Sequence, residues 1–313
     1  MRSLNILSAM VFLAQAPAAD REIDTWFGAH PTPAHLDGDM VVTLERPSVA
    51  ADAEAISASL IDLSIRGGVP WSHGDVSLAV SRADLRFSQP ITLGDGRVIN
   101  DRLAYDEVDV FARAFVDPHT CVGYDLDLVH YAESAEISWR QAEITTTAFV
   151  HLDVQQTSSW IFLITYASQP NWELPRLLPG IAYCLRTDQV TGVIGFPYAS
   201  LTWQAGADFA VNASFADEAK AGIAWTSPGP VVELTYTYAP RYFGQYKEQQ
   251  IEPVLYQEST LVVTALIAAP VGFDWSVSLG RALTRAIGIE SGEPVTRSIG
   301  GAWIASVELE AHL

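Results

Sequence analysis

The sequence predicts an all-β fold, a closed antiparallel transmembrane β-barrel of about 12 strands (roughly 10–14), since single-chain bacterial barrels favour even counts. Three observations predict it. First, the closing stretch Ile299–Leu313 alternates: Trp303, Ala305, Val307, Leu309, Ala311 and Leu313 are apolar, while Ser306, Glu308, Glu310 and His312 are polar. A period of two means an extended strand with one face in oil and one in water. As a free edge such a strand would aggregate; closed against the first strand of a barrel it would not. Second, comparable runs fill the chain, none reads as a packed helix, and none is apolar for the eighteen residues of a spanning helix. Third, the 313-residue chain is 49% hydrophobic yet carries a net charge of −19. An oily outside around a polar inside reconciles the two.

Taken in order, Met1–Ala19 has the pattern of a cleavable signal peptide: Arg2, an apolar run from Leu4 to Ala14, then small residues before Asp20. Residues 20–39 read as a polar entry segment ending in a turn-like Asp37-Gly38-Asp39, and residues 40–313 as the barrel. Met40–Arg46 is a short strand. Ile56–Arg66 and Asp75–Phe87 alternate, but their phase slips near Leu60–Ile61 and Ser81–Arg82, as at a bulge. Gly94-Asp95-Gly96 is a turn. Strands follow at 108–116, 122–128 and 144–154, and Trp160–Ala167 is apolar on both faces.

The prolines of 171–203 interrupt any ladder. They leave a short strand at Ile181–Arg186 and one from Val190 to Trp203, broken or bulged at Pro197. Phe209–Phe215, Ala221–Trp225 (the stretch Ala216–Trp225 is helical by composition alone but is read as strand), Val232–Tyr238, Leu261–Ala268 and Val271–Leu279 come next, and Arg281–Arg297 is a last long connection. Trp225, Tyr236, Tyr238, Tyr242, Phe243 and Tyr246, and separately Trp172 and Trp203, gather where strands end. That is where Tyr and Trp sit at a headgroup level.

With apolar faces to lipid, Asp109, Arg113, Asp125, Asp127, His151, Asp153, Glu233, Asp274, Glu308 and Glu310 face the lumen. So many acids cannot stay dry and ionised. Either water fills the lumen, or they pair with arginines such as Arg113, Arg140 and Arg186. The first case gives a passive, cation-favouring channel; the second, a wall component. Outer-membrane lipid, and the barrel-assembly machinery through the closing strand, are the expected partners. The acidic balance, with Lys220 and Lys247 the only lysines, argues against nucleic acid.

No GxSxG, HxH, HExxH, CxxC or glycine-rich phosphate loop is present. No catalytic residue, metal ligand or cofactor is therefore assigned, and the chain is read as a non-enzyme. The alternatives are an outer-membrane lipid hydrolase with His151 as base, beside Asp153 on the same face, and a secreted soluble β-sandwich binding protein. Cys121 and Cys184 read as two free thiols, with a disulfide permitted in an exported protein.

Pro179-Gly180, Tyr183, Gly195-Phe196-Pro197 and Leu201–Trp203, within 177–215, carry a likeness. The segment resembles a family of bacterial outer-membrane β-barrels catalogued as a domain of unknown function. The resemblance extends weakly to the C-terminus and is patchy before about residue 100. It implies a barrel in the outer membrane of a Gram-negative-type bacterium and transfers no activity. The final Leu313 departs from the Phe or Trp with which many such barrels end.

Overall fold

A computed structural model describes residues 34–47, 56–131, 142–155, 157–168, 176–196, 198–215, 218–225, 231–247, 250–268, 273–289 and 295–312. The stretch read as a leader, residues 20–33, Arg140, Trp172 and Leu313 lie outside them.

One sheet closes on itself. Its strands are β1 (His35–Pro47), β2 (Ala58–Trp71), β3 (Gly74–Phe87), β6 (Arg102–Asp117), β7 (Thr120–Tyr131), β8 (Glu143–Gln155), β9 (Ser158–Ala167) and β10 (Leu177–Arg186), then β11 (Val190–Phe196), β12 (Ala199–Gln204), β13 (Phe209–Phe215), β14 (Ala219–Trp225), β15 (Val231–Lys247), β16 (Gln250–Ala268), β17 (Phe273–Ile289), β18 (Val295–Ser298) and β19 (Ala302–His312). A small hairpin, β4 (Ile91–Thr92) and β5 (Val98–Ile99), stands apart. The main sheet holds 17 strands, and all but β18, which pairs with β17, form an antiparallel ring of 16. β19 completes the ring by pairing with β1 from Asp37↔His312 to Pro47↔Ala302. A two-sheet sandwich does not form.

The ring thus has sixteen strands, not about 12. Val190–Trp203 is not one broken strand but two, β11 and β12, paired from Val190↔Trp203 to Ile194↔Ala199 across the Pro197 step. The chain reverses between Phe196 and Ala199. Arg281–Arg297 is not a connection either, because β17 continues to Ile289. β1 already begins at His35, so Asp37-Gly38-Asp39 lies in a strand rather than a turn. Ala219–Trp225 is a strand, and Gly94-Asp95-Gly96 turns the small hairpin, with Gly96 at φ +86°. There the Arg97 backbone N–H and guanidinium hold the Asp95 carboxyl below the usual carboxylate range.

The phase slips in β2 and β3 are not bulges. Their register with each other and with β1 runs unbroken. What changes is the polarity of the two faces. In the lower part of β3 the outward residues are Val76, Leu78 and Val80, and the inward ones Asp75, Ser77 and Ser81. In its upper part Arg82, Asp84 and Arg86 face outward, while Ala83, Leu85 and Phe87 face inward and are buried. β2 and β6 invert likewise: Ala58, Leu60 and Leu103 pack inside above Asp62, Arg66 and Asp109. The outward apolar run of β2 goes from Ile61 to Trp71. At ~3.3 Å per residue and about 40° of tilt it covers roughly 25 Å along the axis, the height of a lipid-facing belt.

Above the inversion the barrel is capped. The upper halves of β15, β16 and β17 rise past their neighbours. Phe243, Val254, Tyr256, Ile287 and Ile289 pack against Leu60, Leu85 and Leu103 of the facing strands, with Ile91 and Ile99 of the small hairpin between them. The tip of β15 reaches β6, pairing Gly244 with Ala104 where β7 has ended. Gln245 there accepts a hydrogen bond from the Asn100 N–H (3.3 Å) and donates one to the Val98 carbonyl (3.3 Å). Tyr242 and Phe243 are consequently buried in the cap and are not girdle residues. Trp203, Trp225 and Tyr236 are exposed on the outer face. The side chain of Tyr246 lies outside the described residues.

A second inner cluster explains why β9 is apolar on both faces. Ile161 and Leu163 turn inward against Phe111, Phe149, Cys121 and Cys184, while Phe162 and Ile164 are exposed outside. Phe149 stacks on Phe111 with centroids 5.9 Å apart. Its ring occupies the place of the side chain that Gly123 lacks, 2.1 Å from where a Cβ would stand.

Leu309 is exposed beside outward Met40 and Trp275, its register partners, whereas Glu308 accepts a hydrogen bond from Ser276 (3.0 Å). Leu309→Arg is therefore expected to impair assembly, at a cost of roughly 2–4 kcal/mol near mid-membrane. Glu308→Gln leaves assembly intact. Gel mobility of unboiled against boiled protein reads both, and equal assembly of the two variants would mean that the outer face meets water.

Candidate functional site, an acidic inner wall beneath a cap

The inner wall below the cap is built by the polar positions of β1 to β3, β6 to β8 and β15 to β19. Its charges come in partnered groups. Arg113 is buried with Asp75, Nη2 to Oδ2 at 2.9 Å, and its guanidinium also lies 5.2 Å from the Phe115 ring centre. Ser81 donates to Glu107 (3.1 Å), Thr147 and Thr165 share a hydrogen bond (2.9 Å), and Asn212 donates to Glu233 (2.9 Å). Arg241 on β15 stands 3.9 Å from Asp62 on β2, so the wall segments beneath the cap approach one another across the interior.

The strongest concentration of acid lies on β6 and β7. Asp109 faces Asp127 in the register, Asp125 is two residues away on the same face, and carboxylate oxygens of all three lie within 4.8 Å of one another. Arg66 reaches one oxygen of Asp109 (3.2 Å); the other, Oδ1, has no hydrogen-bond partner among the described residues. Carboxylate oxygens gathered in this way are the kind of ligand that attracts hard cations such as Ca²⁺ or Mg²⁺.

Of the residues expected at the lumen, Asp109, Arg113, Asp125 and His151 are buried on the inner wall, and Asp127, Asp153, Glu233, Asp274 and Glu308 are part-buried there. Glu310 occupies the register position opposite Asp39 and Asp274. The structure joins Asp109, Asp125 and Asp127, and it sets His151 Nε2 3.2 Å from Asp153. It does not gather the whole set: Glu233 lies with Asn212 on the far arc of the ring, and Glu308 with Ser276 near the closure. Cys121, the register partner of His151, and Cys184 are buried and not joined by a disulfide.

Sequence reasoning missed the polar centre of the cap. The Arg285 side chain is fully buried. It donates from Nη1 to Glu45 (2.7 Å), from Nε to the Gly300 carbonyl (2.9 Å) and from Nη2 to the Ile56 carbonyl (3.0 Å). Tyr256 adds its hydroxyl to Glu45 (3.1 Å). The Arg and the Glu are 240 positions apart, so no local pattern links them. The one sequence signal is at Arg285, a charge that leads an apolar run on its own face, Ile287 and Ile289.

No family model matches the chain, and no curated protein matches it. Among solved structures it is similar to the toluene transporter TbuX of Ralstonia pickettii, at 10% identity and a TM-score of 0.41 over 97% of this chain and 96% of that one. It is similar to the toluene transporter TodX of Pseudomonas putida, at 9% identity and a TM-score of 0.40 over 97% and 96%. The ferric preacinetobactin receptor BauA of Acinetobacter baumannii gives 8% identity and 0.32 over 91% and 80%. Likenesses at this level say nothing of what the present chain binds or carries.

Removing one partner of a buried ion pair strands the other charge, at a cost of about 3–5 kcal/mol, while replacing both by apolar groups is often neutral. Arg285→Met should therefore open the cap to limited proteolysis between Phe243 and Tyr256, at a lower temperature than in the unaltered protein. Glu45→Leu combined with Arg285→Met should restore most of the resistance. Equal susceptibility of the single and double variants would show that the ion pair does not hold the cap.

Proposed function

We propose that this protein is an outer-membrane β-barrel that passes small cations passively, and that the capped form is its closed state. The observation that carries the reading is the gathering of three carboxylates on the inner wall, at Asp109, Asp125 and Asp127, inside a ring whose outer face is apolar. Rings of acids lower the energy of a cation in a narrow passage and raise that of an anion. The outer face supports the membrane setting. Leu63, Ile65, Leu78, Leu234, Leu279 and Leu309 are all exposed. A water-soluble monomer rarely shows so continuous an apolar surface.

Orientation follows from the connections. The rim away from the cap carries tight turns at 72–73 and 118–119, and the cap rim carries the long connections 88–101 and 132–142. Short turns face the periplasm and long loops the exterior, so the cap lies outside. The resemblance on 177–215 adds an outer-membrane location in a Gram-negative-type bacterium. Lipid against the apolar outer face, and the barrel-assembly machinery through the closing strand, are the partners this reading implies.

Purified barrel in a planar bilayer under a KCl gradient should show rare openings with a reversal potential of the sign set by K⁺. Arg285→Met should raise their frequency. Asp109→Asn combined with Asp127→Asn should move the reversal potential toward zero. A folded barrel that conducts in neither the unaltered nor the Arg285→Met form would leave it a wall component and end the channel reading. Recovery of the mature chain in a detergent-free soluble fraction would end the membrane reading as well.

A further inference from the structure

Just above the apolar belt, on the outside of the wall, lies a strip of arginine. Arg281 on β17, Arg46 on β1, Arg82 and Arg86 on β3 and Arg102 on β6 all point outward. Among the described wall strands these are the outward-facing arginines. They lie on one arc of the ring, the consecutive strands β17, β19, β1, β2, β3 and β6. Arg46, Arg82, Arg86 and Arg102 stand toward the cap ends of their strands, and Arg281, midway along the longer β17, is level with Arg46 through Trp303.

The strip is not a set of closed ion pairs. Arg86 and Arg102 share one carboxylate, that of Asp84 (2.9 and 3.1 Å), and their side chains remain 55% and 43% exposed. Arg82 pairs with Asp106 and is 36% exposed. Arg46 and Arg281 have no acid within 4 Å among the described residues; Arg281 rests 6.0 Å from the ring centre of Trp303, which stands between the two in the register. Two aspartates against these arginines leave the strip positive, on a chain whose net charge is −19.

The setting excludes most uses of such a strip. Charges cannot lie in hydrocarbon without a cost of about 2–4 kcal/mol each at mid-depth. The outward indole of Trp303, directly beside Arg281 and Arg46, is a side chain that settles at the headgroup level. A planar guanidinium with free N–H groups takes two oxygens of one phosphate at once. We infer that the strip binds phosphate-bearing lipid headgroups of the leaflet that surrounds the cap, and so fixes the depth of the barrel on that side. This inference rests on the membrane reading above, though not on the channel.

The test uses the full barrel refolded in detergent and then placed in phosphatidylcholine nanodiscs containing either phosphatidic acid or, at equal charge, oleate. The variant is Arg46→Gln combined with Arg281→Gln. It leaves Asp84 and Asp106 with their partners, and its fold is checked by heat-dependent gel mobility. Retention of phosphatidic acid, read by native mass spectrometry, should exceed that of oleate in the unaltered protein. The variant should hold phosphatidic acid about ten- to thirtyfold more weakly, on the scale of two arginines at a charged membrane surface. Equal retention of the two lipids, or a correctly folded variant that keeps phosphatidic acid as well as before, overturns the inference and leaves the membrane reading standing. A chain that folds but does not enter nanodiscs at all overturns both.

Discussion

A sheet that turns an apolar face outward all the way round cannot leave a bare edge, because the unpaired N–H and C=O groups beside that face would recruit another chain. The pairing of β19 with β1 meets this constraint, and the rest of the molecule depends on it. Closure fixes an inside and an outside for every strand. Once that is fixed, alternate residues have no choice of environment, and the acids of β6 and β7 are driven together rather than dispersed. The same closure leaves an interior that must be filled, watered or covered. Here the upper part is filled by the cap core and the β9 sector by Phe111, Phe149 and their neighbours.

The cap follows from three strands that are longer than the wall needs. β15, β16 and β17 run past the ends of β14 and β19, and above those ends their only flanking partners are the four-residue β18 beside β17 and the single Gly244–Ala104 pair beside β15. Folding inward buries Ile287, Ile289, Val254 and Phe243, each worth roughly 1.5–3 kcal/mol when fully buried. The bulge at Ser259–Thr260 lies in this region, and bulges bend and re-aim a strand. Arg285 and Glu45 sit in the middle of that apolar mass. An ion pair in such a place adds little stability over a hydrophobic pair but penalises any arrangement that separates the two groups. A cap held in this way has one docked position.

Much of the wall was legible because alternation is local. The closing strand, the turn at Gly94–Gly96 and the approach of His151 to Asp153 all follow from residues two to four apart. The number of strands was not. Pro197 can break one strand or reverse the chain, and the choice depends on whether a neighbour waits at Val190–Ile194 to pair with Ala199–Trp203. The phase changes in β2 and β3 misled for another reason. Periodicity records which face is apolar, and a reader takes a change of phase for a change of backbone. In this chain the backbone runs straight through while the two faces exchange polarity, apolar for polar outside and polar wall for cap core inside. Arg285 with Glu45 and Gly244 with Ala104 were beyond sequence reading altogether, since each contact exists only when opposite sides of the ring are present.

The single bridge from the tip of β15 to β6 is a contact between strands on nearly opposite sides of the circle, 140 positions apart in the chain. Contacts of such long range form late, because loop closure must come before any gain. Until the ring is nearly complete, the apolar tips of β2, β3, β6 and β15 to β17 have nothing to pack on. A half-built barrel would therefore expose on its leading end the very surface that the finished one hides, and its assembly is a race between closure and aggregation in which the last strand decides the outcome.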